Sequence, residues 1–334
     1  MAFFDLSLDF DDVSVKLDCF HFFDENSKKH LDEKDLNRLI ASLLNKNDGD
    51  SFESLVKDLF ATFDRNGDKK IDAVEFEDFW SNWIIPLVKP TTALLIIDVQ
   101  NDFIDGSLAL KHCPAKQDGK EIIRVINELT DKIKFDIVVY SLDYHPEDHV
   151  SFFENLKHHE LSEDNEKNIK DLKMFDTVSF YGPPKMEQKL WPRHCVSDSW
   201  GAQLHSDLKV PKGALFIYKG TNPKTDSYSA FYDNMKLSQT KLHSELKQKK
   251  VTHVFICGLA YDYCVSFTAL DSLDLGYATV IIEDATRGTD DNMIEDTKKK
   301  LRSKCCVLAS SSELENLIKA KDIRIEFAKI LAKS

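Results

Sequence analysis

Short, unbroken apolar runs alternate with helix-length segments through the second part of this chain, at 93–97, 137–140, 215–218, 254–257 and 279–282. Runs that are apolar on both faces are typical of parallel strands covered by helices on each side. Helix-length segments lie near 118–133, 236–249, 262–275 and 290–302, and the tail 311–332 also has a helical pattern. This order predicts an α/β domain with a doubly wound, mainly parallel sheet and helices on both faces.

Polar residues follow the predicted strands at the points where the strands end. Asp98 follows the first run and Lys219 follows the third. Asp143 and His145 follow the second, and Cys264 comes after the fourth, where the chain turns towards a helix beginning near 262. Because ligands bind beyond the carboxyl ends of parallel strands, we expect these side chains to share one rim of the sheet.

Cys264 is the candidate nucleophile at this rim. At a strand-to-helix turn, backbone N–H groups lower the pKa of a thiol and can stabilise an oxyanion. Asp98 can accept the thiol proton. Lys219 is a cation that can bind the carboxylate of Asp98 and stabilise a negative charge that develops in the reaction. The alternatives are a cysteine that only packs and an Asp–Lys pair that only stabilises the fold. The combination predicts a hydrolase.

A second group of residues has the chemistry of a metal site. Asp143, His145, His149 and His194 offer carboxylate oxygen and imidazole nitrogen, which suit zinc or a similar ion. Single histidines are more often structural, and we treat His158 and His159 in that way. The polar segment 154–190 contains no strand pattern, and we interpret it as a surface insertion without assigned chemistry.

The N-terminal part repeats itself at an offset of 40 residues, which superposes Phe20-x-x-Phe23 on Phe60-x-x-Phe63. This repeat predicts two helix–loop–helix units over 1–86, an all-α EF-hand pair. The second loop, DRNGDKKIDAVE at 64–75, places oxygen ligands in the order that calcium requires. The predicted ligands are Asp64, Asn66, Asp68, Lys70 through its carbonyl, Asp72 and Glu75.

Two departures from the EF-hand pattern bear on calcium affinity. Lys69 occupies the loop position that usually holds Gly, where positive φ strains a side chain and weakens binding. The first loop, at 24–35, has Lys28 at a ligand position and ends on the shorter Asp35, so we expect it not to bind calcium. Leu31 is expected to pair with Ile71 across the loops. The alternative for the second loop is a structural unit that stays empty.

Composition and charge restrict the domain organisation of the chain and the classes of partner that it can bind. Residues 81–90 contain two prolines and predict a linker, which divides the chain into 1–86 and 87–334. The net charge is −13, and residues 1–86 hold 20 Asp and Glu against 10 Lys and Arg, which argues against nucleic acid or an anionic membrane as a partner. There is no signal-peptide or membrane-span pattern, and the seven cysteines lack a CxxC motif. We expect a cytoplasmic protein with reduced thiols, without excluding the nucleus.

Five segments resemble the signatures of nicotinamidases within the isochorismatase-like cysteine hydrolases. They are LLIIDVQNDF (94–103), DYHPEDHVSF (143–152), WPRHC (191–195), KGTNPKTDSYSAF (219–231) and GLAYDYCVSFTALDSLDLGY (258–277). They occur in family order and span most of residues 91–310. The three catalytic positions mark the superfamily, whereas WPxHC together with DxHPxxH narrows the resemblance to nicotinamidases.

The resemblance implies roles for individual residues. It implies a catalytic triad of Asp98, Lys219 and Cys264, and an oxyanion hole formed by the backbone amides of Ala260 and Cys264. It also implies a cis peptide bond before Ala260. The remaining implied residues are the metal ligands Asp143, His145 and His194, with His149 fourth, directly or through water, and the ring contacts Phe103 and Trp191.

The implied reaction is hydrolysis of nicotinamide to nicotinate and ammonia through a cysteine thioester, as a step in NAD salvage. Zinc, iron or manganese would anchor the pyridine nitrogen, and pyrazinamide would also be cleaved. One alternative is another hydrolase of the superfamily, acting on a different small amide or on isochorismate. The other is a calcium-responsive binding protein whose hydrolase half is inactive. Calcium control of the amidase and assembly into a homo-oligomer stay open.

Overall fold

The computed structural model describes residues 3–5, 7–46, 49–163, 165, 167–181 and 185–333. The strands are β1 Thr92–Ile97, β2 Ile137–Asp143, β3 Thr177–Phe180, β4 Met186–Lys189, β5 Leu215–Lys219, β6 His253–Leu259, β7 Ala278–Arg287 and β8 Val307–Ala309. The α-helices are α1 Val13–Phe23, α2 Glu33–Leu44, α3 Asp50–Phe63, α4 Ala73–Phe79, α5 Ile85–Val88, α6 Asn101–Ile104, α7 Glu121–Lys132, α8 Leu242–Gln248, α9 Ser266–Asp274, α10 Asp291–Ser303, α11 Leu314–Ile318 and α12 Ile325–Leu331. The π-helix Trp80–Ile84 joins α4 to α5, and a second π-helix, Tyr261–Val265, lies between β6 and α9.

Six strands form one parallel sheet in the order β5-β2-β1-β6-β7-β8. All residues of β1 and β6 are buried, as expected of strands with both faces covered. From β1 the chain adds strands on one side, and from β6 it adds them on the other. The crevice where this direction changes lies at the carboxyl ends of β1 and β6, which is where open α/β sheets bind ligands. The predicted α/β architecture is confirmed.

Two local features of the structure differ from the expectations. The segment 154–190 contains the antiparallel hairpin β3–β4, in which alternate residues are buried, although its many charged residues conceal that pattern in the sequence. Residues 164, 166 and 182–184 of that segment lie outside the described residues. The sixth parallel strand, β8, has three residues, too short for a periodicity to identify. The C-terminal tail is helical, as expected, and forms two separate helices, α11 and α12.

The N-terminal region contains two helix–loop–helix units, α1–α2 and α3–α4. Leu31 and Ile71 exchange backbone hydrogen bonds of 2.9 and 2.8 Å across the two loops, so this predicted pairing is confirmed. Each loop turns through a lysine with positive φ, 65° at Lys29 and 63° at Lys69. The left-handed backbone expected at Lys69 is therefore present.

Residues 81–90 do not form an extended linker. The helix α4 continues through Trp80–Ile84 into α5, and Pro86, which has no N–H to donate, lies where the π-helix passes into α5. Trp83 is fully buried, and its indole nitrogen donates a 2.9 Å hydrogen bond to the Ala328 carbonyl in α12. A large buried ring thus anchors this connection to the C-terminal helix. The division at 86–87 stays a prediction.

Two expectations from composition can be compared with the structure. All seven cysteines are free, in agreement with reduced thiols. Within the described ranges, no helix combines the length and the apolar character needed to cross a bilayer.

We predict that Trp83→Ala lowers the free energy of unfolding by about 3–5 kcal/mol, because it leaves a cavity between the N-terminal helices and α12. Trp83→Phe keeps most of the ring and loses the hydrogen bond, so about 1–2 kcal/mol is expected. Urea unfolding followed by circular dichroism measures both. The control is Trp200→Ala, at a ring that is 58% exposed, with an expected change within about 0.5 kcal/mol. Equal stability of Trp83→Ala and wild type would contradict the packing described.

Candidate active site

Lys219, the last residue of β5, lies at the centre of the rim. Its ammonium forms an ion pair with Asp143 and a second one, 2.9 Å long, with Asp98 Oδ2. It also lies 3.2 Å from Cys264 Sγ and donates to the Ser227 carbonyl at 3.1 Å. The structure therefore brings together the three residues predicted as a triad.

The carboxylate of Asp98 is fully buried one residue beyond β1. Its Oδ1 accepts a 2.6 Å hydrogen bond from Ser141 Oγ, and its backbone has a φ of 49°. Burial and the nearby charge of Asp143 raise the pKa of Asp98, while Lys219 opposes them. A carboxylate with a raised pKa is a stronger base, which suits it to accept a proton from a neighbouring thiol.

Cys264 lies in the π-helix Tyr261–Val265, between β6 and α9. The peptide bond Leu259–Ala260 is cis, which confirms that prediction. The carbonyl of Ala260 accepts hydrogen bonds from the amides of Tyr263 and Val265, both 3.1 Å long. The α-helix itself begins at Ser266, later than the sequence pattern predicted.

The pKa of Cys264 differs from the expectation for a thiol at a helix start. Burial raises this pKa well above its ordinary value, and the negative charges of Asp98 and Asp143 raise it further against the effect of Lys219. The expectation of a lowered pKa was wrong because the thiol is buried beside two carboxylates. The resting side chain is a thiol, so its reactivity requires a base.

Asp143 and two histidines form the predicted metal-ligand group. Asp143 Oδ2 lies 3.6 Å from His145 Nε2 and 3.8 Å from His194 Nε2. Nδ1 of each ring is already bonded, at 2.8 Å, to a backbone carbonyl, that of Gly220 for His145 and that of Pro192 for His194. Such bonds fix the ring orientation and leave Nε2 available to a metal ion.

His149 adjoins this group, its ring centroid 4.1 Å from that of His145. Nδ1 bonds Ser151 Oγ at 2.7 Å, while the buried Nε2 has no hydrogen-bond partner among the described residues. Burial and the charge of His145 lower the pKa of His149 to about 3 and that of His194 to about 4. Neutral imidazoles, a carboxylate and an unpartnered buried nitrogen are a donor set that fits zinc or a similar divalent cation.

The pKa values of the ion pair are set by opposing effects. Burial alone would raise the pKa of Asp143, but Lys219 and His145 lower it below its ordinary value. Burial alone would lower the pKa of Lys219, but Asp143 and Asp98 raise it. The two groups are therefore charged at neutral pH.

Gly220 allows the chain after β5 to approach His145 closely. A Cβ atom at this position would lie 2.3 Å from Cε1 of the His145 ring, and the backbone has a φ of 64°. Any side chain would displace the ring that Gly220 orients through its carbonyl. The glycine of the KGT sequence is thus part of the metal-ligand geometry.

Aromatic rings form walls of the pocket that contains Cys264. Phe103 and Trp191 are both buried, and the Phe103 ring lies 5.5 Å from the His194 ring. Trp191 Nε1 donates a 3.1 Å hydrogen bond to the Tyr228 hydroxyl, which fixes the indole. The pocket is lined by Phe103, Leu108, Leu110, Asp143, Trp191, His194, Asp226, Tyr228, Ala260, Tyr263, Cys264 and Thr289. Its chemistry suits a planar, partly apolar ligand.

Several residues that support the site were not predicted from the sequence. Gln100 is buried and bonds both the amide and the carbonyl of Asp143, at 2.9 and 2.8 Å. Asp102 accepts a 2.7 Å bond from the Cys195 amide and so orients the loop that carries His194. Both lie in the segment 94–103, where polar residues directly after an apolar strand were the available signal. Ser141, Gln188 and Asp226 were also missed.

The sequence and the fold are similar to known enzymes. The curated nicotinamidase of Escherichia coli (strain K12) is 36% identical over 206 residues, which cover 60% of this chain and 85% of the relative. The solved "Acinetobacter baumanii nicotinamidase pyrazinamidease" is 34% identical with a TM-score of 0.57, covering 67% of this chain and 98% of that one. The structure of PnC1 from L. infantum in complex with nicotinate is 31% identical with a TM-score of 0.53, covering 67% and 94%.

The match to a family model covers the region that builds the site. The model of the isochorismatase domain matches residues 92–313, from the first strand of the sheet to the segment before α11. This range includes every residue of the triad and of the metal-ligand group. The chain is therefore a member of the isochorismatase family of hydrolases.

Proposed function

We propose that this protein is a nicotinamidase, which hydrolyses nicotinamide to nicotinate and ammonia. The observation that carries the proposal is the contact of Lys219 with both Asp98 and Cys264, 2.9 and 3.2 Å away, in a pocket that also contains Asp143 and His194. The similarity to nicotinamidases supports the substrate. Consumption of nicotinamide would place the enzyme in NAD salvage.

Asp98 starts the reaction as the base. It takes the proton of the Cys264 thiol, and the ammonium of Lys219, next to both groups, stabilises the thiolate as it forms. The sulfur attacks the carboxamide carbon, so that a C–S bond forms and the carbonyl oxygen becomes an oxyanion. The backbone amides of Ala260 and Cys264, at the start of the π-turn and within it, would bind this charge.

Asp98 then acts as the acid. It returns its proton to the nitrogen as the C–N bond breaks, and ammonia leaves while the nicotinoyl group stays on Cys264 as a thioester. A water molecule next attacks the thioester carbon, giving up a proton to Asp98, and the C–S bond breaks. Nicotinate leaves and the sulfur regains its proton.

The aromatic and metal-binding residues hold the pyridine ring. Phe103 and Trp191 contact its faces, and the bond from Trp191 to Tyr228 keeps the indole in place. Asp143, His145 and His194 would hold a zinc, iron or manganese ion, with His149 as a fourth ligand. That ion supplies a Lewis acid to which the pyridine nitrogen can bind. A substrate without a ring nitrogen would lose this anchor.

Ammonia release from nicotinamide, pyrazinamide, N-carbamoyl compounds and other small amides, together with turnover of isochorismate, tests the substrate assignment. We expect nicotinamide and pyrazinamide to be cleaved and the others to be poor substrates. Preference for isochorismate or a non-aromatic amide would instead identify another hydrolase of the family.

We predict that Cys264→Ala lowers kcat/KM for nicotinamide by about 10⁴-fold or more, because the covalent route is lost. Cys305→Ser, at a partly exposed cysteine outside the pocket, is the matched control and keeps the wild-type rate. Ammonia release measures both. Wild-type turnover by Cys264→Ala would exclude Cys264 as the nucleophile.

Asp98→Asn keeps the size of the side chain and removes the base, so we predict a drop in kcat of about 10²–10⁴-fold. Ser141→Ala removes only the 2.6 Å hydrogen bond to Asp98, and a loss of about tenfold or less is expected. Ammonia release from nicotinamide measures both variants. A wild-type kcat in Asp98→Asn would argue against proton transfer to Asp98.

We further propose that the loop 64–75 binds calcium through the ligands predicted from its sequence. Asp64, at the start, accepts bonds from the amides of Gly67 and Lys69, both 2.9 Å long, so the loop already curls around this carboxylate. Glu75, at the end, accepts bonds from the amides of Arg65 and Asp72, both 3.0 Å long. Calcium would replace these backbone donors on the carboxylates.

The contacts within the first loop, at 24–35, support the expectation that this loop does not bind calcium. The ammonium of Lys28 forms ion pairs with Asp32 and, at 2.6 Å, with Asp35. Hydrogen bonds to these two carboxylates raise the pKa of Lys28 above its ordinary value. A cation built into the chain thus satisfies the acids that would otherwise hold calcium.

We predict that Glu75→Gln weakens calcium binding by about tenfold or more, because the bidentate carboxylate is lost. Glu77→Gln, at an exposed residue outside the loop, is the control and leaves calcium affinity unchanged. Isothermal titration with calcium measures both. Nicotinamide hydrolysis is then compared in calcium and in a calcium chelator; equal rates for wild type would remove calcium control of the amidase.

A further inference from the structure

Asp226 is a buried carboxylate that the proposed mechanism does not use. Its side chain is 3% exposed and lines the same pocket as Cys264. Its Oδ1 accepts a 2.7 Å bond from the Ser227 amide, and its Oδ2 accepts a 2.8 Å bond from Gln188 Nε2. Both donors are neutral, so neither balances the charge of a carboxylate at this buried position.

The surroundings of Asp226 indicate a cation. Asp226, His145 and His149 offer ligand atoms that all lie within 4.8 Å of one another, and all three residues are buried. Nδ1 of His149 is occupied by Ser151, and its fully buried Nε2 lacks a partner among the described residues. An unpartnered imidazole nitrogen beside a carboxylate is a costly arrangement unless an ion binds both.

We propose that Asp226 is a second carboxylate of the metal centre, so that the cation held by Asp143, His145 and His194 also binds Asp226, with His149 beside it. His145 belongs to both groups of potential ligands. Asp226 falls in the group of His149 and not in that of Asp143 and His194, so its carboxylate would turn towards the ion on binding. The inference rests on the metal centre of the proposed function and adds a ligand to which the sequence motifs assigned no role.

Charge balance supports this assignment. Lys219 is already paired with Asp98 and Asp143. A divalent cation added to these three residues alone would leave one net positive charge buried, whereas ionised Asp226 cancels it. Buried charges are retained in proteins when they are compensated by close partners, and Asp226 provides that partner.

Gln188 positions this carboxylate. It is 2% exposed on β4, in the hairpin of the segment 154–190. Its Nε2 donates to Asp226 Oδ2 and, at 2.9 Å, to the Lys189 carbonyl, so both hydrogens of the amide are used and the amide orientation is fixed. The hairpin, which sequence patterns left without a role, thereby reaches the metal centre.

Zinc affinity of the full-length protein tests the inference without any substrate. Metal is removed with a chelator, and Zn²⁺ is titrated in competition with a chromophoric chelator. We expect Asp226→Asn to bind zinc about 10–100-fold more weakly than wild type, and Gln188→Ala about tenfold more weakly. Asp143→Asn should also lose zinc affinity. Asp233→Asn, at a buried carboxylate whose hydrogen bonds stay within its own loop, is the matched control, with an affinity within about twofold of wild type.

The Co²⁺ absorption spectrum distinguishes a ligand from a residue that only supports the loop. We expect Asp226→Asn to change the visible bands, because an oxygen donor is lost, and Asp233→Asn to leave them unchanged. Zinc affinity within twofold of wild type and an unaltered cobalt spectrum in Asp226→Asn would overturn the inference. If this variant does not fold, Asp226→Ser, which also removes the carboxylate, takes its place, and a wild-type affinity and spectrum there would overturn it equally.

The outcome is separable from that of the proposed function. Weakened zinc binding by Asp226→Asn in a protein that cleaves no nicotinamide would support the metal ligand and reject the substrate. Nicotinamide cleavage by wild type, with unchanged zinc affinity in Asp226→Asn, would support the function and reject the ligand.

Discussion

The buried ammonium of Lys219 is the interaction on which the active-site geometry depends. Lys219 and Asp143 are register partners on the neighbouring strands β5 and β2, and Asp98 extends from β1 towards the same nitrogen. A buried cation is tolerated only when anions compensate it, so the ends of three strands must converge on one point. Cys264, 3.2 Å from the ammonium, is held beside that convergence. Charge compensation and nucleophile placement thus come from the same contacts.

The order of strands explains why these residues meet. β1 and β6 are neighbours, with Ile97 opposite Gly258, and the chain leaves them in opposite directions across the sheet. A Cβ atom at Gly258 would lie 2.1 Å from the Ile97 carbonyl oxygen, so glycine allows the two strand ends to approach closely. The base follows one strand of the crevice and the nucleophile follows the other. Parallel topology, rather than proximity in sequence, brings Asp98 and Cys264 together.

The sequence predicted the residues whose roles follow from strand ends and motif spacing. Asp98, Lys219 and Cys264 each come after an apolar run, and parallel strands bring such positions to one edge. Gln188 could not be found in this way, because its strand is short and Gln188, although buried, is a polar residue between two charged ones. The raised pKa of Cys264 was also outside the reach of sequence, since it depends on burial and on two carboxylates from other strands. The sequence pattern thus identifies the side chains of the site, whereas their burial in the folded protein decides whether each of them carries a proton.

The helix that follows the loop 64–75 connects the N-terminal units to the sheet. It begins at Ala73, passes through Trp83 and ends at Val88, four residues before β1. Trp83 bonds α12, and in the same helix the Phe327 ring lies 4.8 Å from that of His253, the first residue of β6. This continuous helix connects the calcium loop to the sheet physically, but a connection alone does not couple calcium binding to catalysis. Calcium can change catalysis only if it binds two conformations of this helix with different affinity. If it does, linkage requires a ligand of the active site that favours the same conformation to raise calcium affinity by the same factor.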